Sequence, residues 1–332
     1  MTSFVNLGRE TGRSTWAVSG HALGFAALLI VAIVAPVFVY PVFLMKVMCF
    51  ALFACAFNLL LGYGGLLSFG HAAYFGSASY VAAHAAKVWG LTPEISIGLG
   101  VLTAIGLGAV VGSISIRRQG IYFAMVTLAF AQMVFFFALQ APFTGGEDGI
   151  QAVPRGELFG IFSLASDRAL YPFVLAITFG GLLLIYRIVN SPFGEVLKAI
   201  RENEARAVSL GYHVNRYKLV TFVLSAGLAG LAGSTKALVF QLATLTDVHW
   251  SMSGEVVLMT LIGGMGTIFG PVVGAALIVT MQNYLAVLGG WVTVIQGVIF
   301  VVCVLLFRKG IVGVLTGNIR SPRVKSRRKS QK

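Results

Sequence analysis

A charged segment in the middle of the chain carries ionisable side chains that could contact a partner. The sequence SPFGEVLKAIRENEARAVSLG, residues 191–211, carries six charged side chains although long apolar runs flank it on both sides. Carboxylates and guanidinium groups form charge-assisted hydrogen bonds, which suit contact with another protein. An amphipathic segment of this kind fits a partner's groove. The alternative is a plain connector that lies at a membrane surface.

Two glycine-rich segments are the second such feature. GYGGLLSFG (62–70) and GGMGTIFG (263–270) lie about 200 residues apart with similar spacing. Paired glycine interruptions in the two halves of a chain are typical of a transport site at an internal repeat interface. Their free backbone amides and carbonyls would face a cavity and supply hydrogen-bond donors and acceptors to a solute without a buried charged side chain. Close helix packing through small residues is the alternative.

The candidate pathway residues combine these glycines with three polar neighbours. Asn58, Ser68 and His71 lie on or beside the first segment, where an interhelical hydrogen bond is the alternative role. The full candidate set is Asn58, Gly62, Gly65, Ser68, Gly70, His71, Gly263, Gly264, Gly266 and Gly270.

The elements that must position these residues are membrane-spanning helices. Of the 332 residues, 58% are hydrophobic and 11% are charged, whereas a soluble domain carries about 25% charged residues. Because backbone groups in lipid must be paired internally and the apolar runs are too long for barrel strands, we expect an all-α, polytopic membrane protein. Cys49, Cys55 and Cys303 lie in apolar runs without ligand-like spacing, so they are expected to be inert packing residues, and no metal site is expected.

Apolar runs predict about ten spans and a sided topology. Nineteen of the 24 basic residues fall in loops and tails on one side if the N-terminus is cytoplasmic. This places both termini in the cytoplasm, with a tail at 1–20, a transmembrane domain at 21–308 and a basic tail at 309–332. The basic tail at 309–332 is expected to lie near anionic lipids and not to bind nucleic acid. The predicted spans are 21–43, 44–62, 71–88, 95–116, 120–140, 170–189, 219–241, 253–269, 271–288 and 291–307.

Three details of this topology are open to test. Segment 253–269 is short and glycine-rich, so it is either a span or a re-entrant element; the charge distribution favours a span. Lys236 is expected to snorkel from the outer end of a span. Glu94 and Glu255 are expected at the edges of spans, which argues against a proton-coupled carrier.

An outside loop over 141–169 and a cytoplasmic loop over 190–218 are expected to contact partners. The outside loop carries Glu147 and Asp148 within TGGEDGI, which are the candidate docking residues for an outside partner; a plain connector is the alternative. In the cytoplasmic loop, Ser191 suits a helix N-cap before a first-turn proline, and Gly211 suits a left-handed helix end. A bend near residues 201–204 divides the segment into two short helices.

Several motifs in order resemble one family. GEVLKAIRENEARAVSLGYHVNRYKLVTFVLSAGLAGLAG is similar to the coupling loop of permease subunits in ATP-binding-cassette importers, closest to the branched-chain amino acid permeases. NLLLGYGGLLSFGHAAYFG and LMTLIGGMGTIFGPVVGAAL are similar to that family's two glycine-rich signatures. The chain departs from the general loop motif, because Glu204 and Gly211 are seven residues apart and Arg206 replaces an alanine. The resemblance implies ATPase coupling by Glu195, Arg201, Glu202, Glu204, Ala205 and Gly211.

The expected function is that of a transport subunit without enzymatic activity of its own. The sequence lacks the Gly-x-x-x-x-Gly-Lys-Ser/Thr loop, so ATP would be bound by cytoplasmic partner subunits and this chain needs no cofactor. The resemblance implies a second homologous permease, an outside solute-binding protein and a bacterial cytoplasmic membrane. Leucine, isoleucine and valine are the expected cargo. The alternatives are a urea or short-amide permease, a self-sufficient carrier or channel, and a scaffold without a pathway.

Overall fold

A computed structural model describes residues 11–286, 289, 291–306 and 310–313. The chain divides into two compact units, residues 1–44 and 45–332. The predicted basic tail lies outside the described residues, apart from positions 310–313. The first helix begins at Thr11, so its first ten residues, 11–20, lie within the predicted tail 1–20.

The described part of the chain is helical, apart from one small hairpin. The α-helices are α1 (Thr11–Val34), α2 (Pro41–Asn58), α3 (His71–Lys87), α4 (Pro93–Ser115), α5 (Ile121–Gln140), α6 (Asp167–Val189), α7 (Pro192–Glu202), α8 (Glu204–Ser209), α9 (Val214–Phe240), α10 (Leu245–Val248), α11 (Trp250–Gly263), α12 (Gly270–Leu285) and α13 (Trp291–Leu306). Short 3-10 turns lie at Ala35–Val37, Pro142–Thr144 and Gly146–Asp148. Strands β1 (Glu157–Leu158) and β2 (Phe162–Ser163) pair antiparallel.

Each of the ten predicted spans overlaps a helix, although the first helix ends at Val34 inside the predicted span 21–43, and the all-α fold is confirmed. Five helical stretches in the described residues are long and apolar enough to cross a membrane by length and composition. They are Pro41–Tyr63, Pro93–Ser115, Ile121–Gln140, Asp167–Val189 and Val214–Phe240. Segments Ala22–Val37 and Trp250–Gly263 are shorter apolar helices.

Helices α3, α4 and α9 form the closest-packed part of the larger unit. Small residues line their contacts, and this lets the backbones approach. A Cβ on Gly230 of α9 would overlap the Cβ of Ala104 in α4, and a Cβ on Gly233 would overlap the carbonyl oxygen of Phe75 in α3. Much of the chain's high glycine content therefore serves helix packing here.

The predicted two-helix segment at 191–211 is confirmed. The Ser191 hydroxyl accepts a hydrogen bond from the backbone amide of Gly194, and Pro192 occupies the first turn of α7. Asn203 separates α7 from α8 and caps α8 through its side chain. Gly211 follows α8 with φ of +85°, in the left-handed region that favours glycine. The apolar stripe on α7 packs inward, with Leu197 and Ile200 buried.

Segment 253–269 is helical over only part of its length. Helix α11 has 14 residues and ends at Gly263, which gives a length of about 21 Å at 1.5 Å per residue. The glycine-rich stretch 264–269 then runs irregularly into α12. The helical part alone is therefore shorter than a hydrocarbon core of about 30 Å, and a full crossing stays a prediction.

The snorkelling prediction for Lys236 is wrong. The side chain turns inward and its Nζ donates to both carboxylate oxygens of Asp247, at 2.9 and 2.6 Å. Both residues are buried, with 7% and 2% of their surface exposed. The carboxylate also accepts from the Thr244 amide at the start of α10. A nearby counter-charge removes the need for the ammonium to reach water.

The predicted edge position holds for one acidic residue and not for the other. Glu94 lies in the first turn of α4, as expected. Glu255 lies inside α11, away from its ends, where its carboxylate accepts a hydrogen bond from the Gln282 amide of α12 at 2.9 Å. The hydrophobic run alone does not show where this helix begins. Because the helix begins at Trp250, Glu255 lies in its second turn and not at its end.

Candidate transport pathway and coupling surface

The two glycine segments meet in the folded chain. Asn58, the last residue of α2, joins them with both ends of its side-chain amide. Its Nδ2 donates to the carbonyl of Thr267 at 2.8 Å, and its Oδ1 accepts from the amide of Gly266 at 2.9 Å. Asn58 is buried. A single amide thus satisfies one donor and one acceptor of a segment about 200 residues away.

The close approach explains why glycine occupies these positions. A Cβ on Gly62 would overlap the Asn58 amide and the backbone nitrogen of Gly266. A Cβ on Gly263 would overlap the carbonyl of Gly270. Gly266 also has φ of +72°, which a residue with a Cβ adopts only with strain. Sterics at this junction therefore account for the glycines that the sequence placed together.

The helix before the first glycine segment changes its geometry. Helix α2 continues as a π-helical turn over Leu59–Tyr63, and the chain then runs irregularly to α3 at His71. Single π turns inside helices occur frequently at functional sites. The carbonyl of Gly62, in this π-helical turn, accepts a hydrogen bond from the Arg201 side chain of α7, as described below.

The polar neighbours Ser68 and His71 lie in the protein interior. The Ser68 hydroxyl accepts from the amide of Gly70 at 3.2 Å. The Nε2 of His71 shares a hydrogen bond of 2.8 Å with the Ser225 hydroxyl of α9. Its Nδ1 has no hydrogen-bond partner among the described residues. The His71–Ser225 contact is an interhelical hydrogen bond, whereas the Ser68–Gly70 contact is local. A role for either residue in lining a pathway stays a prediction.

Arg201 connects the charged segment to this junction. Its Nη1 donates a hydrogen bond to the Gly62 carbonyl. A Cβ on Gly65 would lie 3.0 Å from the Cγ of Arg201, and a Cβ on Gly266 would lie 3.3 Å from its Nη1. The Arg201 side chain therefore passes one glycine segment and ends against the other. Among the predicted coupling residues, it is the one that the structure brings to the pathway candidates.

Glu204 also acts within the chain. Its carboxylate pairs with the Lys218 ammonium of α9 at 2.8 Å and accepts from the Gln119 amide at 3.1 Å. Lys218 is buried, so this ion pair fixes α8 against the start of α9. A cavity of about 200 Å³ lies between this ion pair and the first glycine segment. Sequence reasoning missed Lys218 and Gln119, since nothing in their local sequence indicates a partner so far along the chain.

The remaining coupling candidates face away from the chain. The side chain of Glu195 is 70% exposed, and within the described part of the chain its ion pair is with the neighbouring Lys198. Glu202, Ala205 and Gly211 are exposed. This leaves an accessible surface on α7 and α8 that the described residues do not cover.

Two apolar side chains add to this surface. Val208 and Leu210 are 57% and 69% exposed at the end of α8. Their outward direction depends on which face of α8 packs against the bundle. We call α7, α8 and the turn to residue 212 the coupling surface.

Glu147 and Asp148 lie in a different part of the larger unit. They are exposed in the 3-10 turn Gly146–Asp148 of the loop after α5. The structure does not bring them to the glycine junction. The same loop is tied to the bundle by a two-way backbone bridge between Ile150 and Ala243.

Comparisons with known proteins identify relatives of this chain. The high-affinity branched-chain amino acid transport system permease protein LivM of Salmonella typhimurium is 28% identical over 259 residues, covering 71% of this chain and 61% of that protein. LivM of Escherichia coli strain K12 matches equally. The ribose import permease protein RbsC of Bacillus subtilis is 27% identical over 312 residues, covering 87% of this chain and 92% of that protein.

A family model also matches most of the chain. The aligned part of the chain spans about three fifths of the length of the two LivM relatives. No solved structure matches the chain significantly. A family model described as branched-chain amino acid transport system / permease component matches residues 39–306, which include both glycine segments and the coupling surface. The chain is therefore a multi-pass membrane protein that belongs to the family of branched-chain amino acid transport system permease components.

Proposed function

We propose that this chain is the permease subunit of an ATP-binding-cassette importer that moves branched-chain amino acids inward. Alternating access would be driven by ATPase subunits bound at the coupling surface. The names of the LivM relatives and the family model support this cargo. Ribose permeases are also among the relatives, so a sugar is the competing cargo.

The observation that carries the proposal is the contact between Arg201 and the Gly62 carbonyl. Arg201 stands at the end of α7, next to the exposed face that a partner would contact. A displacement of α7 moves its guanidinium, which is hydrogen-bonded to one glycine segment and packed against the other. Motion of the coupling surface would thus change the junction without passing through a flexible linker.

The junction itself offers the groups that an amino acid needs. In the present arrangement Asn58 joins the two glycine segments through one donated and one accepted hydrogen bond. Separation of the segments would release that amide together with the amide of Gly266 and the carbonyl of Thr267. Donors and acceptors would then face a cavity, where they would bind a carboxylate and an ammonium without a buried charged side chain.

The remaining partners follow from the same proposal. A solute-binding protein would deliver cargo at Glu147 and Asp148, on the loop after α5. A second homologous permease would complete the pathway. ATP would be hydrolysed by the partner subunits, and the N- and C-termini would face the cytoplasm of a bacterial cell.

Reconstitution tests this function. The purified chain alone in liposomes should move no leucine, whereas addition of the ATPase subunits, the second permease and the binding protein should restore ATP-dependent uptake. Leucine uptake by the chain alone would contradict the proposal and support a self-sufficient carrier. ATP-dependent uptake of ribose but not leucine would keep the coupling and replace the cargo.

Leu210→Glu tests the coupling surface directly. Burial of a leucine side chain contributes about 1.5–3 kcal/mol, and about 1.4 kcal/mol corresponds to tenfold in affinity. Co-purification of the ATPase subunits should therefore weaken about tenfold or more. Glu147→Ala, an exposed change on the outside loop, is the matched control and should retain them. Equal ATPase recovery with both variants would refute docking at this surface.

A further inference from the structure

The hairpin formed by β1 and β2 has an apolar tip. Its sequence is ELFGIFS, residues 157–163, and the side chains of Phe159, Ile161 and Phe162 are 71%, 74% and 66% exposed. A hairpin that faces water would carry polar residues at its tip. Three large apolar side chains at one tip indicate that an apolar environment surrounds it.

The turn geometry strengthens this reading. Phe159 and Gly160 have φ of +51° and +69°, and the amide of Ile161 donates to the carbonyl of Leu158 at 3.1 Å. Two successive positive φ angles with this hydrogen bond describe a type I′ turn, which favours Asn-Gly or Gly-Gly. An aromatic residue is strained in the left-handed conformation. An aromatic group at this tip therefore has a reason beyond the turn itself.

The hairpin is fixed at the ends of three helices. The amide of Phe159 donates to the carboxylate of Glu94, in the first turn of α4, at 3.1 Å. Arg155, just before the hairpin, pairs at 2.7 Å with Asp167 in the first turn of α6. The Arg155 guanidinium also donates to the carbonyl of Val239 near the end of α9. These contacts hold the hairpin beside the ends of α4, α6 and α9.

Other exposed apolar residues lie near the end of α4 that the hairpin contacts. Val88 and Trp89, in the turn before α4, are 62% and 53% exposed, and Ile95 in its first turn is 50% exposed. Leu102 continues the exposed stripe down α4. Tryptophan is enriched at membrane–water interfaces. The stripe of a spanning helix that faces outward is covered by lipid, and the hairpin tip extends that stripe to the interface.

We propose that the 157–163 hairpin inserts its tip into the lipid interface and anchors the loop after α5 to the membrane. Phe159, Ile161 and Phe162 lie among the headgroups and upper acyl chains. The exposed charged side chains of Glu157 and Arg168 beside it remain at the headgroup level. The occupant of this surface is the bilayer and not a protein. This inference does not depend on the cargo.

Spin labelling of the full-length chain in lipid nanodiscs tests the proposal. Cys49, Cys55 and Cys303 are replaced by alanine, and a nitroxide is attached at Phe162→Cys or, as a second position, at Ile161→Cys. The measured quantity is the ratio of the nitroxide's accessibility to oxygen, which concentrates in lipid, and to a water-soluble nickel chelate. Leu102→Cys is the lipid-facing reference, and Glu147→Cys is the water-facing one.

Labels at positions 161 and 162 should give oxygen-to-nickel accessibility ratios close to the ratio at position 102 and well above the ratio at position 147. Ratios equal to that at position 147 for both tip labels would overturn the anchor. A tip that is water-accessible and becomes protected only when the solute-binding protein is added would also overturn it, and would assign the hairpin to protein docking instead.

Discussion

The buried ion pair between Lys236 and Asp247 allows a sharp prediction about stability. Lys236→Met removes the ammonium from a carboxylate whose side chain is 3% exposed and that keeps, among the described residues, the Thr244 amide as its one other donor. Removal of one partner from a buried pair leaves an uncompensated charge and costs about 3–5 kcal/mol. We therefore expect Lys236→Met, and equally Asp247→Leu, to lower the free energy of unfolding by about that amount.

The double variant separates charge from packing. Lys236→Met with Asp247→Leu has no buried charge left, and replacement of a buried pair by apolar residues is often neutral or stabilising. The double variant should therefore recover most of the loss. Lys198→Met is the matched control, because its pair with Glu195 is exposed and an exposed i,i+3 or i,i+4 pair contributes only about 0.3–0.5 kcal/mol.

The assay is reversible unfolding of the purified chain in mixed detergent micelles, followed by circular dichroism. All four variants are compared with the parent chain at one detergent composition. A loss below about 1 kcal/mol for Lys236→Met, similar to that for Lys198→Met, would show that the pair is solvated and would refute the reasoning from burial. Additive losses in the double variant would refute the pairing itself.

Two further predictions concern the glycine junction. Asn58→Leu leaves one buried donor and one acceptor of the second glycine segment unpaired, at about 1–3 kcal/mol each. Unfolding should therefore occur at a lower denaturant concentration, and uptake should fall. Parental values for both measurements would contradict the role of Asn58 in joining the two segments. Arg201→Ala should reduce ATP-dependent uptake about tenfold or more while the ATPase subunits still co-purify, since a charge-assisted hydrogen bond of about 1.5–3 kcal/mol is lost. Unchanged uptake in Arg201→Ala would contradict the proposal that Arg201 transmits the motion of α7 to the glycine segments.

The class of the protein and most of its helices could be predicted from local sequence. Long apolar runs identify membrane helices because every backbone polar group in lipid must be paired internally, so an all-α fold follows from hydropathy alone. The bounds of α7 and α8 follow from equally local signals. Ser191, Pro192 and Gly211 act through the conformations and hydrogen bonds of their own turns, so no distant residue is needed to place them.

Partners distant in sequence could not be predicted in this way. Lys236 and Asp247 are 11 residues apart, yet their pairing depends on how the chain turns after α9. Likewise, the outward direction of the apolar residues at the end of α8 depends on which face of α8 packs against α9.

The candidate transport site shows the same division. The sequence by itself determined that two glycine-rich segments interrupt membrane helices, because glycine spacing is a local property. Only the tertiary structure decided that Asn58 joins those segments and that Arg201 reaches them from the coupling surface. The physical reason is that a hydrogen bond across about 200 residues depends on the three-dimensional positions of both backbones, and neither local pattern contains the position of the other.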